Sequence, residues 1–213
     1  MMDFLTLWTS DSEQEWKEAL NRYWSFVQPA NYALEQDMDH LDRAVVQSLT
    51  AADFYDWLYN KYFVWKYTQK NRLATTRRAL AKRHQDAAGL KELEEIQRQI
   101  FTIDTYAQPS QALENVTRIG GLGTAGASGL LAVLFPEHFG TVDVFVAENL
   151  LQVPAYVNQL PTMKPNGTIN ITKDQAVWMV KVFRQKADEL NAMFRTDFWT
   201  PRRIDMVLWG TRS

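Results

Sequence analysis

Helix-start signals recur along the whole chain and constrain its fold more than any other feature. Each start combines a residue suited to the N-cap or first turn with a following segment whose apolar residues recur every three or four positions. These starts are Ser12, Thr50, Pro109, Thr172 and Thr200. Alternation of the kind found in strands is limited to a few residues near 168–171. The sequence therefore predicts an all-α fold.

The predicted helices follow one another along the chain, with a looser region between about 151 and 172. They cover about 12–27, 50–66, 72–84, 90–100, 109–116, 124–134, 144–151, 172–195 and 201–209, with a further short helix at about 40–49. Residues 31–39 and 67–71 are predicted as loops, and Gly89 as the break between two helices. A turn is expected at Asn166-Gly167. The length fits one helical unit over 1–213, or two lobes that share a core.

The absence of cysteine removes several kinds of site at once. Disulfides, thiolate zinc sites, iron–sulfur clusters and a cysteine nucleophile are all excluded. The three histidines, His40, His84 and His138, stand at no metal-binding helical spacing. The sequence therefore predicts neither a metal site nor a cofactor.

The sequence also gives no sign of a membrane partner. The segment MMDFLTLWTSDSEQEW lacks a basic start and is soon interrupted by acidic residues, so we do not expect a signal peptide. No apolar run approaches the roughly 20 residues that span a bilayer. A cytoplasmic protein is expected, associated with the nucleoid if the source is bacterial.

Charge is distributed unevenly along the chain, although the net charge is only −2. No acidic residue lies between Asp56 and Asp86, whereas eight basic residues do, so this segment carries +8. The eight are Lys61, Lys66, Lys70, Arg72, Arg77, Arg78, Lys82 and Arg83. Such a segment is typical either of a solvated helix face or of a surface that binds phosphates. The charge alone does not choose between them.

Residues 113–143 contain the densest group of glycines, with five of the nine between 120 and 129. Gly121-Leu122-Gly123 predicts a tight turn between two helices, with Leu122 anchored in the core. Because glycine leaves the backbone bare, amide N–H groups at the start of the second helix are free to face outward. A helix N-terminus also attracts anions, so a phosphate can bind there. Gly126 and Gly129 are expected to let the two helices approach closely. The alternative is a tight helix–helix corner that serves packing alone.

The same stretch resembles the helix-hairpin-helix motif of the endonuclease III and adenine-mismatch glycosylase superfamily. In that family, a Gly-hydrophobic-Gly hairpin leads into a helix and then, after a short loop, to a catalytic aspartate. Here Gly121-Leu122-Gly123 is followed, 20 residues after Gly123, by Asp143 in the sequence FGTVDVFVAENL. The resemblance is specific over 113–151. It extends weakly to 50–151, where the turn YTQKN is similar to a glutamine-bearing turn of the family.

The resemblance implies a two-lobed helical domain that binds double-stranded DNA. It implies removal of a damaged or mismatched base by hydrolysis of the N-glycosidic bond, with Asp143 stabilising the charge that develops on the sugar. The glycosylase-like core would be 50–151, and the flanking helices of 1–49 and 152–213 would pack together. The residues expected to hold the DNA backbone are Gly121, Gly123, Thr124, Lys70, Arg72, Arg77 and Arg78.

Several features limit how far the resemblance extends. Ala125 stands where bifunctional members carry a lysine, so lysine-dependent lyase chemistry is not expected. The ending FWTPRRIDMVLWG is outside the family's motif. Tyr62, Trp65 and Tyr67 would line the pocket for the base, unless they are core residues.

Asp143 can also be interpreted without catalysis. An aspartate immediately before VFVAENL is a favourable N-cap for the helix that follows. A non-catalytic module that binds the DNA backbone is therefore the alternative to a glycosylase without lyase activity. A helical protein whose partner is another protein is a third interpretation.

Overall fold

We describe residues 3–159 and 171–211 of a computed structural model of the protein. Within these two ranges the chain is all-helical and forms no strand, as the sequence predicts. The helices are α1 Phe4–Trp8, α2 Glu13–Phe26, α3 Tyr32–Asp39, α4 Arg43–Gln47, α5 Ala51–Trp57, α6 Phe63–Lys66, α7 Lys70–His84, α8 Ala87–Thr102, α9 Pro109–Thr117, α10 Thr124–Leu134, α11 Val144–Leu150, α12 Lys173–Phe194 and α13 Pro201–Gly210. None of these helices combines the length and apolar character that crossing a membrane requires.

The predicted helix starts are confirmed by their hydrogen bonds. The hydroxyl oxygens of Ser12, Thr50, Thr172 and Thr200 each accept the backbone N–H of the residue three positions later. Pro109 is the first residue of α9, where its missing N–H is not needed. Local capping chemistry therefore determines where these five helices begin.

The prediction of a loop at 31–39 is wrong, because Tyr32–Asp39 forms α3. Asn31 makes no capping hydrogen bond with its side chain, so no local signal marks the start of this helix. Contacts from the rest of the chain fix it instead. Met38 is 2% exposed, and Trp65 donates its indole N–H to Glu35 at 2.8 Å. Tertiary packing here stabilises a helix that no local sequence signal predicts.

Gly89 lies in the first turn of α8, so the prediction of a break at this glycine is wrong. Its backbone N–H donates to the carboxylate of Asp86, the N-cap, at 2.7 Å. A Cβ at position 89 would lie 2.6 Å from the Cα of His84. Glycine is needed there because the end of α7 and the start of α8 are in contact. The helix α7 begins at Lys70, two residues earlier than predicted.

The turn predicted at Asn166-Gly167 lies outside the described residues, as do residues 168–170 of the short alternating stretch.

One compact unit consists of Met1–Gln28 together with Pro136–Ser213. In its described part, α13 packs against α2, α11 and α12. The rings of Trp16 and Trp199 meet edge to face, with centroids 6.0 Å apart, and neither ring is more than 2% exposed. The C-terminal helix α13 is thus an interior element of this unit.

The second compact unit consists of Pro29–Phe135. Here α8 packs against α5, α7 and α9, and α9 packs against α10. A π-helical turn over Leu58–Tyr62 joins α5 to α6, and the side chains of Phe54 and Phe63 on either side of it are fully buried. This unit carries both the basic helix α7 and the glycine-rich turn between α9 and α10.

Candidate nucleic-acid interface

The turn between α9 and α10 has the tight geometry that the sequence predicts. Gly121 has a φ of +91°, which lies in the region that favours glycine. The backbone N–H of Leu122 donates to the carbonyl of Ile119 at 3.1 Å, and the Leu122 side chain is 6% exposed. Leu122 therefore anchors the turn in the core, as predicted. We call residues 119–125 the hairpin.

The first two glycines of the hairpin lie against α7. A Cβ at Gly120 would be 2.5 Å from the carbonyl oxygen of Ala79, and one at Gly121 would be 2.7 Å from that of Thr76. Backbone therefore meets backbone at these positions, and a side chain on either glycine would separate the two elements. The hairpin and the basic helix form one surface of the second unit.

Gly126 and Gly129 have different partners from those predicted. The hydroxyl of Tyr67 occupies the space beside Gly126, and a Cβ at Gly129 would lie 2.9 Å from the hydroxyl of Tyr62. These glycines make room for the aromatic side chains on either side of α6, Tyr62 before it and Tyr67 after it, and not for α9. The prediction that they allow the two hairpin helices to approach is therefore wrong.

Gly123 has no such packing role. No atom lies within 4 Å of the position that its Cβ would take, and its φ of −96° suits any residue. Gly123 and Ala125 are exposed and Thr124 is half-buried. Among the described residues, no hydrogen bond takes the backbone N–H of Gly123, Thr124 or Ala125. The start of α10 thus presents bare amide groups to solvent, which is the arrangement that binds anions.

The four cations predicted to hold the DNA backbone all lie on α7, but they differ in their surroundings. Lys70, Arg72 and Arg78 are exposed. Arg77 is half-buried, because its Nε donates to the carbonyl of Tyr59 at 3.0 Å and its guanidinium lies 4.4 Å from the centroid of the Tyr59 ring. Arg77 therefore has structural partners, and the three exposed cations are better placed to meet a phosphate.

A cavity of about 500 Å³ lies where α7 meets the hairpin. It is lined by Gln69, Asn71, Arg72, Thr75, Thr76, Ala79 and Gly121. Arg72 and Gly121, both predicted to hold the DNA backbone, thus line the same cavity.

His84, the last residue of α7, binds the hairpin through a contact that the sequence does not reveal. Its ring is fully buried, its Nε2 accepts the backbone N–H of Gly120 at 3.1 Å, and its Nδ1 lies 3.1 Å from the carbonyl oxygen of Gly89. Both hydrogen bonds form together only in the neutral ring with the proton on Nδ1. Since Gly120 lies 36 residues further along the chain, no local pattern predicts this contact.

The three aromatic residues proposed for a base pocket make internal contacts. Tyr62 is fully buried, and its hydroxyl donates to the carbonyl of Gly126. Trp65 is half-buried and bonds Glu35. Tyr67 is 8% exposed; burial raises the pKa of its hydroxyl, and the nearby guanidinium of Arg72 partly opposes this. The structure places Tyr62 in the core, with no ring surface on which a base could stack.

Asp143 caps α11 and is half-buried. Its Oδ1 accepts the backbone N–H of Val146 at 3.0 Å, as the N-cap interpretation predicts. Asp143 belongs to the first unit and the hairpin to the second. A catalytic role for Asp143 stays a prediction.

No group of three or more His, Asp or Glu side chains within 3–159 and 171–211 is arranged to hold a metal ion. Comparison with protein-family models, with curated proteins and with solved structures finds no match for this chain.

Proposed function

We propose that the protein binds double-stranded DNA and releases a damaged or mismatched base by hydrolysis of the N-glycosidic bond. In this proposal the hairpin acts as a helix-hairpin-helix motif of a two-lobed domain, and the protein works in the cytoplasm. Lysine-dependent lyase chemistry is not part of the proposal, because Ala125 occupies the position at which the lysine would stand.

The observation that carries the proposal is the bare start of α10 beside the basic helix α7. Phosphate oxygens would accept the N–H groups of Gly123, Thr124 and Ala125, which have no acceptor among the described residues. The exposed cations of α7 would attract the DNA over a longer range and release counterions on binding. Hairpin and cations belong to one unit, so a single DNA backbone can use both.

Asp143 supplies the chemistry in this proposal. As the bond between sugar and base breaks, positive charge builds on the sugar, and a carboxylate stabilises that charge. The same carboxylate orients the water whose oxygen forms the new bond to the sugar. The base must first be turned out of the duplex, which is easiest for a damaged or mismatched base because its pairing is weak.

The substitution Asp143→Asn tests this proposal without disturbing the fold. Asparagine is as good an N-cap as aspartate, so α11 should keep its start. We expect base release to fall by at least about 100-fold, with duplex binding nearly unchanged. The measurement is incubation with a panel of lesion-bearing duplexes, followed by alkali to cleave abasic sites. Asp86→Asn is the matched control, since Asp86 also caps a helix.

A non-catalytic module that binds the DNA backbone is the second candidate. It is favoured by the hydrogen bond from Val146 to Asp143, which gives this carboxylate a structural role. It predicts salt-sensitive binding that is indifferent to DNA sequence. It also predicts no alkali-sensitive sites with any lesion, for the unsubstituted protein as well as for Asp143→Asn. Release of a base by the unsubstituted protein would exclude this candidate.

A further inference from the structure

Two charged side chains of the C-terminal segment FWTPRRIDMVLWG are almost fully buried. Arg202 is 5% exposed and Asp205 is 2% exposed. Nη1 of Arg202 donates to Oδ1 of Asp205 at 2.8 Å, and Nη2 donates to the hydroxyl of Tyr23 at 3.1 Å. Removing two charges from water carries a large desolvation penalty, so a buried pair is weak evidence for stability. Stability alone therefore does not explain the pair, and the segment of chain that it holds in place does.

Asp205 holds the loop that leads to Asp143. Its second oxygen, Oδ2, accepts the backbone N–H of Thr141 at 2.5 Å. One residue earlier, a Cβ at Gly140 would lie 2.6 Å from the carbonyl oxygen of Pro201 and 3.0 Å from the Cβ of Asp205. The start of α13 is thus in direct contact with the chain two residues before Asp143.

Further hydrogen bonds fix the chain on both sides of Asp143. Before it, the backbone N–H of Arg202 donates to the carbonyl of Pro136 at 3.2 Å. After it, the side-chain amide of Asn149 donates to the carbonyl of Leu208 at 2.5 Å. Helix α13 therefore holds residues 136–149 at several points. Among these contacts, the one from Asp205 is the nearest to Asp143 along the chain.

We propose that Asp205 is a positioning residue that fixes the loop carrying Asp143, with Arg202 fixing Asp205 in turn. The catalytic part of this inference rests on the proposed function. A carboxylate that must face a sugar and a water together tolerates little displacement, because even about 1 Å of misplacement can cost about 100-fold in rate. A charged acceptor gives Thr141 a stronger hydrogen bond than a neutral one would. This explains why a buried ion pair lies at this point of the fold.

The test uses the full-length protein with Asp205→Ala and with Asp205→Asn. Amide hydrogen exchange, followed by mass spectrometry on peptides that cover 139–150, should become about tenfold faster in Asp205→Ala. In steady-state base release, kcat should fall by about 100-fold while KM for the duplex stays unchanged. A purely structural loss would lower the fraction of folded enzyme and speed up exchange throughout the unit.

Two further variants complete the design. The double variant Arg202→Gln with Asp205→Asn removes both charges, so it tests the loop without leaving an uncompensated buried charge if the single variants fail to fold. Exposed Asp188 on α12 provides the matched control, Asp188→Asn.

Unchanged exchange over 139–150 in folded Asp205 variants would overturn the inference, as would faster exchange with an unchanged kcat. If the unsubstituted protein releases no base, the proposed function fails alone, and the exchange experiment still decides whether Asp205 holds the loop.

Discussion

His84 joins three parts of the second unit through one imidazole ring: the end of α7, the first turn of α8 and the hairpin. In His84→Leu, the N–H of Gly120 and the carbonyl of Gly89 would both stay buried but lose their partner. Leaving a buried polar group unsatisfied costs about 1–3 kcal/mol. We therefore expect the free energy of unfolding to fall by at least that amount. Urea denaturation followed by circular dichroism measures it.

His40→Leu provides the comparison for this prediction. His40 lies in the same unit but is exposed at the end of α3. Its substitution should change the free energy of unfolding by no more than about 0.5 kcal/mol. Equal losses in the two variants would show that the hydrogen bonds of His84 do not stabilise the hairpin.

At the scale of elements, a substituted side chain at the start of α10 can occupy the amide groups that a phosphate would otherwise bind. In Gly123→Asp, the new side chain meets no atom within 4 Å of its Cβ. Its carboxylate would accept the N–H of Ala125, one of the amide groups that a phosphate would use, and its negative charge would be stabilised by the helix N-terminus. We expect a melting temperature equal to or above that of the unsubstituted protein, together with a loss of DNA binding of at least tenfold, or about 1.4 kcal/mol. Thermal denaturation and fluorescence anisotropy with a labelled duplex measure the two effects.

The matched variant adds the same charge at another helix start. Ala88 is exposed in the first turn of α8, so Ala88→Asp changes the net charge equally and leaves the hairpin bare. It should bind DNA almost as well as the unsubstituted protein. Similar losses in the two variants would mean that net charge, and not the hairpin, determines binding.

The helix boundaries that the sequence predicts well are those that local interactions determine. N-caps such as Thr172 and glycines such as Gly123 determine the backbone conformation of their immediate neighbours. The sequence therefore predicts α12 and the hairpin with nearly correct ends. Helix α3 has no cap and depends on distant side chains. The contacts of His84, and those of Gly126 with Tyr67, join residues far apart in the chain. They depend on which helices meet, and a single sequence carries no pattern for that.

At the scale of the whole molecule, charge is balanced overall and concentrated locally. The chain carries −2, yet α7 contains seven basic residues or histidines and no acid. Some of this charge is already paired within the protein, since Arg83 forms two hydrogen bonds with Glu92. That contact holds the pKa of Glu92 below its usual range. The exposed cations of α7 other than Arg83, which are Lys70, Arg72, Arg78 and Lys82, are what a DNA partner would meet.

The dependence of DNA binding on salt tests this division. Each phosphate contact contributes about 0.9 to the slope of the logarithm of affinity against the logarithm of salt concentration. Lys70→Gln, Arg72→Gln and Arg78→Gln should therefore each lower the magnitude of the slope by about one. Arg98→Gln serves as the control, because Arg98 is exposed and paired with Glu95 on α8. Titrations from low to moderate salt measure all four slopes. If the α7 variants and Arg98→Gln keep the slope of the unsubstituted protein, the basic helix does not contact DNA, and the hairpin would have to bind it without that helix.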